Sequence, residues 1–302
     1  MHQNQNKNQK HVPVLLAEVL EQLDPQEGES YLDLTAGYGG HAQAILAKTK
    51  ADALGMLVDR DQSAIDAITK LFKGRKLNIL KQDFLAASQQ LVEERRKFDL
   101  ILVDLGVSSP HLKEVNRGFA FAATGPLDMR MDQSQALTAE KVVNNYSEAE
   151  VANILTRFGE EPKARQIARS IIANRPIMTT TQLAAVVARA WPGYSRVHPA
   201  TRSFQALRIV VNDELRQLRE SLPLWIKLLA PAGRIGVISF HSLEDRIVKH
   251  YFAELGGTGY DAVLRILTKR PILSQTPELV INPRARSAKL RVAVKIKTER
   301  EA

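Results

Sequence analysis

The chain has 302 residues, 44% of them hydrophobic and 25% charged, with a net charge of +9: a soluble globular composition, long enough for one large domain plus an insertion, and basic enough to suit a polyanionic partner. No window approaches the ~18 uninterrupted apolar residues of a membrane span, and the polar start MHQNQNKNQK is neither signal peptide nor anchor, which predicts a disordered tail over residues 1–10 and a cytoplasmic protein. Cysteine is absent and the seven histidines show no paired ligand spacing, so disulfides and thiolate zinc sites are excluded and no metal is expected.

After the tail, Leu15, Leu16, Val19, Leu20 and Leu23 recur at helical spacing. The pattern then predicts strand 31–35, helix 40–48, strand 53–58, helix 61–72, strand 77–80, helix 87–95 and strand 99–104. Strands alternating with helices imply a mostly parallel sheet covered on both faces. The alternation stops at Asp104. Residues 107–132 are irregular and rich in Gly, Pro, Ser and Asp, and residues 136–190 are helical, with Ala164, Ile167, Ala168, Ile171 and Ile172 on one apolar face. Residues 201–229 give one long or broken helix, followed by strand 234–240 and helix 243–252. In 290–297 the apolar Leu290, Val292, Val294 and Ile296 alternate with Arg291, Lys295 and Lys297, which suits a terminal antiparallel strand with one polar face. The expected architecture is α/β, a split domain over 11–112 and 200–302 with an all-helical domain inserted at 113–199.

The chemistry starts at the first strand. Residues 31–42, YLDLTAGYGGHA, run from an apolar strand through glycines 37, 39 and 40 into a helix, the arrangement that cradles a nucleotide-like ligand. On the loop alone, a dinucleotide such as NAD or FAD fits as well as S-adenosylmethionine (SAM). The acids favour SAM. Asp33 lies inside the first strand, Asp59 ends the second about 20 residues on, where an acid can accept both ribose hydroxyls, and Asp104 ends the fourth. A pyrophosphate gains nothing from such carboxylates, whereas the ammonium and sulfonium of SAM are positive. At the other end of the chain, ten Lys or Arg against two acids between Arg265 and Arg300 form a one-sided basic tract, with Arg284, Arg286, Lys289 and Arg291 the best placed for phosphate.

Four strings go further: AGYGGH (36–41), LVDLGVSSPH (102–111), RGFAF and GPLDMRMD (117–132), and HPATRSFQALRIVVN (198–212), followed by SFHSLEDRIVK and NPRARSAKLR. Together they closely resemble the bacterial small-subunit ribosomal RNA methyltransferases that modify N4 of a decoding-centre cytidine, from about His11 to Val294. The resemblance implies a Rossmann-like SAM-dependent sheet with a helical substrate-recognition insertion. It implies SAM as methyl donor and 16S rRNA as partner, within the small ribosomal subunit; the sequence sets no oligomeric state and is compatible with a homodimer.

By the same resemblance Gly39, Gly40, His41, Asp59, Phe84, Asp104 and His111 hold the cofactor, with Asp83 placed to accept from the adenine amino group. Asp104, Ser109 and Pro110 carry catalysis. The usual amino-methyltransferase tetrapeptide, Asp or Asn then Pro-Pro-aromatic, is replaced here by Asp104 and LGVSSPH, so which atom of Asp104, Ser108, Ser109 and Pro110 orients the amine stays open. Phe119 and Phe121 are candidates to pack under the loop or to stack on an extruded base. Asp128, Arg130 and Asp132 read as a recognition element or an ion-pair ladder, His198 and Thr201 as a helix start, Ser242 with Asp245 as a cap, and His241 as a substrate-site candidate. Two other classes fit parts of the pattern: a non-catalytic RNA-binding assembly factor, and a nucleotide-dependent oxidoreductase.

Overall fold

The computed structural model describes residues 13–107, 112, 114–191, 197–257, 259 and 261–297, so the expected tail lies outside the described residues. The chain divides into two compact units, one running to Leu105 and resuming at Glu220, the other comprising Gly106–Arg219.

The first is the sheet unit. Short apolar runs give Tyr31–Asp33 (β1), Gly55–Asp59 (β2), Asn78–Lys81 (β3), Phe98–Asp104 (β4) and Leu229–Ser239 (β5), buried on both faces in β1, β2 and β4, whereas β3 is half-buried with both ends exposed. All of these pair in parallel. Leu264–Ile266 (β6), Ile272–Leu273 (β7) and Lys289–Lys295 (β8) complete the sheet, whose order is β3-β2-β1-β4-β5-β8-β6 with β7 also on β8. The pairings of β8 with β5, β6 and β7 are antiparallel. The order reverses between β1 and β4, so the ligand crevice of such a sheet lies outside the carboxyl ends of those two strands. This is the expected Rossmann-like α/β sheet.

Leu16–Leu23 (α1), Gly40–Thr49 (α2), Gln62–Leu71 (α3) and Phe84–Glu93 (α4) belong to this unit. Val19 and Leu23, Ala42 and Ile45, and Ile68 from the first three pack in one core with Tyr31, Leu57, Leu100, Leu102 and Leu290. α4 starts three residues before the periodicity indicates, because Asp83 Oδ1 accepts from the Leu85 and Ala86 N–H groups and caps it. β6 and β7 carry no pattern of their own: three and two residues are too short to show one.

The helical unit contains Ala139–Asn145 (α5), Glu148–Gly159 (α6), Ala164–Ala173 (α7), Thr180–Arg189 (α8) and Ala200–Asn212 (α9). Reciprocal capping boxes start α6 (Ser147, Glu150) and α8 (Thr179, Gln182). α9 falls here rather than with the sheet, since its buried Ala200, Phe204, Ala206 and Leu207 share a core with Val151, Leu155, Ile167, Ile171 and Val187. Asp213, in the left-handed region at φ 52°, breaks the expected long helix, and Glu214–Leu228 (α10) follows; the division between the units falls within it. No helix of the described residues is long and apolar enough to cross a membrane.

Candidate active site

Asp33, the last residue of β1, is buried. Its Oδ2 accepts from Tyr31 Oη at 2.7 Å and its Oδ1 from the Thr35 N–H at 3.1 Å. Burial nevertheless lifts its carboxyl to about 7, with the charge of Asp59 pushing the same way. The chain then turns at Gly37 and Gly39, both at positive φ (51° and 79°). A Cβ on Gly39 would meet Leu71 at 2.8 Å and Phe72 at 3.0 Å, and one on Gly40 would meet Pro13 at 2.4 Å, so both glycines are needed for α2 to start where it does. No side chain caps that start, which leaves the positive end of α2 to a ligand.

Asp59 ends β2 and holds the loop: its Oδ2 accepts from the Gly37 N–H and its Oδ1 from the Asp61 N–H, each at 2.8 Å. Phe84 opens α4 half-buried, its ring edge-on to Trp225 at 5.8 Å between centroids. The Oδ1 of Asp83 is committed to capping α4, a role the adenine reading did not include.

Asp104 ends β4. Its N–H donates to Thr35 Oγ1 at 2.6 Å. Its Oδ1 is fully buried and has no hydrogen-bond partner. Burial raises its pKa well above the carboxylate range, and the charges of Asp33 and Glu244 raise it further. The imidazole of His41 is buried beside it, with Nε2 2.9 Å from the Val14 carbonyl and Nδ1 3.8 Å from Asp104 Oδ2. Ser108, Ser109, Pro110 and His111 lie outside the described residues.

Glu244 was missed. It lies in Ser242–Leu255 (α11), where a capping box pairs it with His241, one residue before the expected Ser242–Asp245 cap. Its Oε2 accepts from the N–H groups of Phe240 (2.8 Å) and His241 (3.2 Å). The signal was present as a glutamate three residues after His241, but histidine is an uncommon cap and the serine drew the reading.

Asp245 instead meets Arg291 Nε at 2.7 Å and Lys289 Nζ at 3.2 Å. Burial works against its charge, yet these two cations hold its carboxyl below the usual range. This corrects the basic cluster. Arg291 is buried and Lys289 is paired, while Lys295 is buried with Nζ on the carbonyls of Ile226 and Leu229. Arg286 is exposed, and so are Arg265, Lys269 and Arg270.

Within the helical unit, Phe119 is core, whereas Phe121 is half-buried between His198 (4.6 Å between ring centroids) and Phe204 (4.8 Å). Arg130 grips Asp128 with Nε and Nη2, at 2.7 and 2.8 Å, and donates to the carbonyls of Gln133 and Gln135, so it is a brace of the loop. His198 Nδ1 accepts from the Ala200 N–H at the start of α9.

The description "MraW methylase family" matches residues 8–296. The chain belongs to the MraW methylase family. It is 46% identical to "Ribosomal RNA small subunit methyltransferase H" of Heliobacterium mobile, over 95% of this chain and 99% of that one. It is 48% identical to the protein of the same name from Synechocystis sp., over 95% and 93%. MraW methylases depend on SAM. The residues present fit that molecule: three carboxylates at the ends of β1, β2 and β4, one with an orphaned buried oxygen, complement its ammonium, sulfonium and ribose hydroxyls, and an uncapped helix start complements its carboxylate.

Proposed function

We propose that this protein methylates N4 of a decoding-centre cytidine in small-subunit ribosomal RNA, with the assembled small subunit as substrate. The names of its relatives support the RNA. The observation that carries the amine is Asp104 Oδ1, a buried acceptor without a partner, at the end of β4 where the strand order reverses.

Gly39, Gly40, His41, Asp59 and Phe84 form the cofactor side of the site, with Asp104 between cofactor and target; His111 belongs to the cofactor set, and Ser109 and Pro110 to catalysis, by the family resemblance. Bound SAM supplies an electrophilic methyl group. The protein's part is to aim the nucleophile. A cytosine amino group donating to Asp104 Oδ1 has one N–H fixed, which turns its lone pair out of conjugation with the ring and toward the methyl. The same carboxylate takes the proton that the methylated nitrogen sheds. Leu105 and Gly106 stand where the usual motif has Pro-Pro, and a backbone carbonyl of the segment after Asp104 serves as the second acceptor. The target base leaves its stack to reach such a site. The helical unit serves recognition of the RNA, with Phe121 and His198 as its stacking platform.

The test is to incubate small subunits from cells lacking this gene with the purified protein and labelled SAM, digest the RNA to nucleosides, and separate them by mass spectrometry. Label in N4-methylcytidine supports the reading; label only on carbon 5 or on ribose, or no label, contradicts it.

A further inference from the structure

Tyr31 and Asp33 stand at alternate positions of β1, so their side chains share one face of the sheet. Tyr31 is fully buried, and its Oη donates to Asp33 Oδ2 at 2.7 Å. A phenylalanine would fill the same place in the core; the hydroxyl is what sets this residue apart. Burial, and after it the charge of Asp33, raises the phenol well above its ordinary value, so it stays protonated and donates. The other oxygen of Asp33, Oδ1, has the longer bond, 3.1 Å from the Thr35 N–H. Acids surround the pair: Asp59 on β2 and Asp104 on β4 act on it by charge, and His41 on α2 stands against Asp104. The ionised form of Asp33 therefore leans on its hydrogen bonds, the phenol's first.

That ionised form has a use. The uncapped start of α2 suits the carboxylate of SAM, whose ammonium sits on the adjoining carbon. β1 runs directly into that turn, which makes Asp33 its partner while Asp59 serves the ribose. We propose that Tyr31 is a positioning residue for the cofactor: its phenol holds Asp33 Oδ2 and stabilises the carboxylate that receives the ammonium group of SAM. This rests on the SAM reading of the site and adds a residue that acts through Asp33. Without cofactor the carboxyl titrates at about 7, so near neutral pH part of the protein must release that proton to solvent before the ammonium can pair with it. Removing the phenol enlarges that part.

Tyr31→Phe deletes one oxygen and keeps the ring. The probe is S-adenosylhomocysteine, which carries the same amino-acid group as SAM, and its affinity is measured by calorimetry for variant and wild type between pH 6 and pH 9. With Asp33 titrating about one unit higher in the variant, the affinity should lie about tenfold below wild type at pH 6, about fivefold below at pH 7, and within about twofold at pH 9. A merely structural loss would weaken binding by one factor at every pH. The carboxyl carbon of Asp33, followed by NMR on ¹³C-aspartate protein without cofactor and assigned with Asp33→Asn, should show the upward shift directly. Should Tyr31→Phe unfold, fluorotyrosine incorporated in place of tyrosine gives the converse: its more acidic phenol should move the same titration downward. An affinity ratio that does not vary with pH, or an Asp33 titration unmoved by the change at Tyr31, would overturn the inference and leave Tyr31 as core. Wild type that binds neither SAM nor S-adenosylhomocysteine would overturn the cofactor reading, and this inference with it.

Discussion

The main-chain N–H of Asp104 donates to Thr35 Oγ1 at 2.6 Å, tying the end of β4 to the turn that follows β1. These are the strands between which the sheet order reverses, so the bond fixes the mouth of the crevice. Thr35 also donates its own N–H to Asp33 Oδ1. One threonine thereby ties the ends of the two strands that carry Asp33 and Asp104. Thr35→Val keeps shape and removes the acceptor. It should lower stability by about 1–3 kcal/mol, the cost of an orphaned buried N–H, measured by urea unfolding; an unchanged midpoint would mean the bond is incidental.

The carboxyl of Asp33, at about 7, sets a pH signature for the cofactor-free protein. Its folded value lies above the ordinary one near 3.9, so between these values the folded state holds a proton that the unfolded state has lost. The stability from this group is full below pH ~4 and is lost as pH rises through 7. Asp33→Asn stays neutral throughout. Its melting temperature relative to wild type should climb between pH 5 and pH 8, with a free-energy swing on the order of 2–4 kcal/mol. A difference that does not vary with pH would show that Asp33 is already ionised at pH 5.

Asp59 receives the Gly37 and Asp61 N–H groups, and the proposed reading gives it the cofactor's ribose as well. Asp59→Ala should weaken SAM binding by about 1–3 kcal/mol in calorimetry while the far-ultraviolet circular dichroism stays native. Wild-type affinity in a folded variant would remove Asp59 from the site.

The basic tract splits into two kinds of residue that mutation can tell apart. Arg291→Ala breaks a buried pair with Asp245 and should cost on the order of 3 kcal/mol of stability, leaving the salt dependence of RNA binding unchanged in the folded fraction. Arg286→Ala, exposed, should leave stability within about 0.5 kcal/mol and reduce the slope of log affinity against log salt by about one. The reverse pattern would return Arg291 to the phosphate face.

The strand–glycine–helix start and the acids closing β1, β2 and β4 were legible because each leaves a local mark: an apolar run, a positive-φ turn, a carboxylate at a strand end. What covers a strand leaves none. The alternation in β8 was read as one apolar and one wet face, but both faces are buried, with Asp245 of α11 and the carbonyls of Ile226 and Leu229 taking up Arg291 and Lys295. His41 was legible as a loop residue and not as the neighbour of Asp104, since 63 residues separate them in sequence and only the pairing of β1 with β4 brings them together.

The central claim is that Asp104 aims the target nitrogen. Asp104→Asn keeps the size and one acceptor oxygen, so fold and most SAM affinity should survive. The decisive measurement is single-turnover transfer of labelled methyl to purified small subunits at saturating SAM, with N4-methylcytidine as the scored product. The rate should fall by about a hundredfold, a loss of ~2.7 kcal/mol of transition-state stabilisation; near-wild-type turnover would show Asp104 to be scaffold and move the chemistry to the segment that follows it.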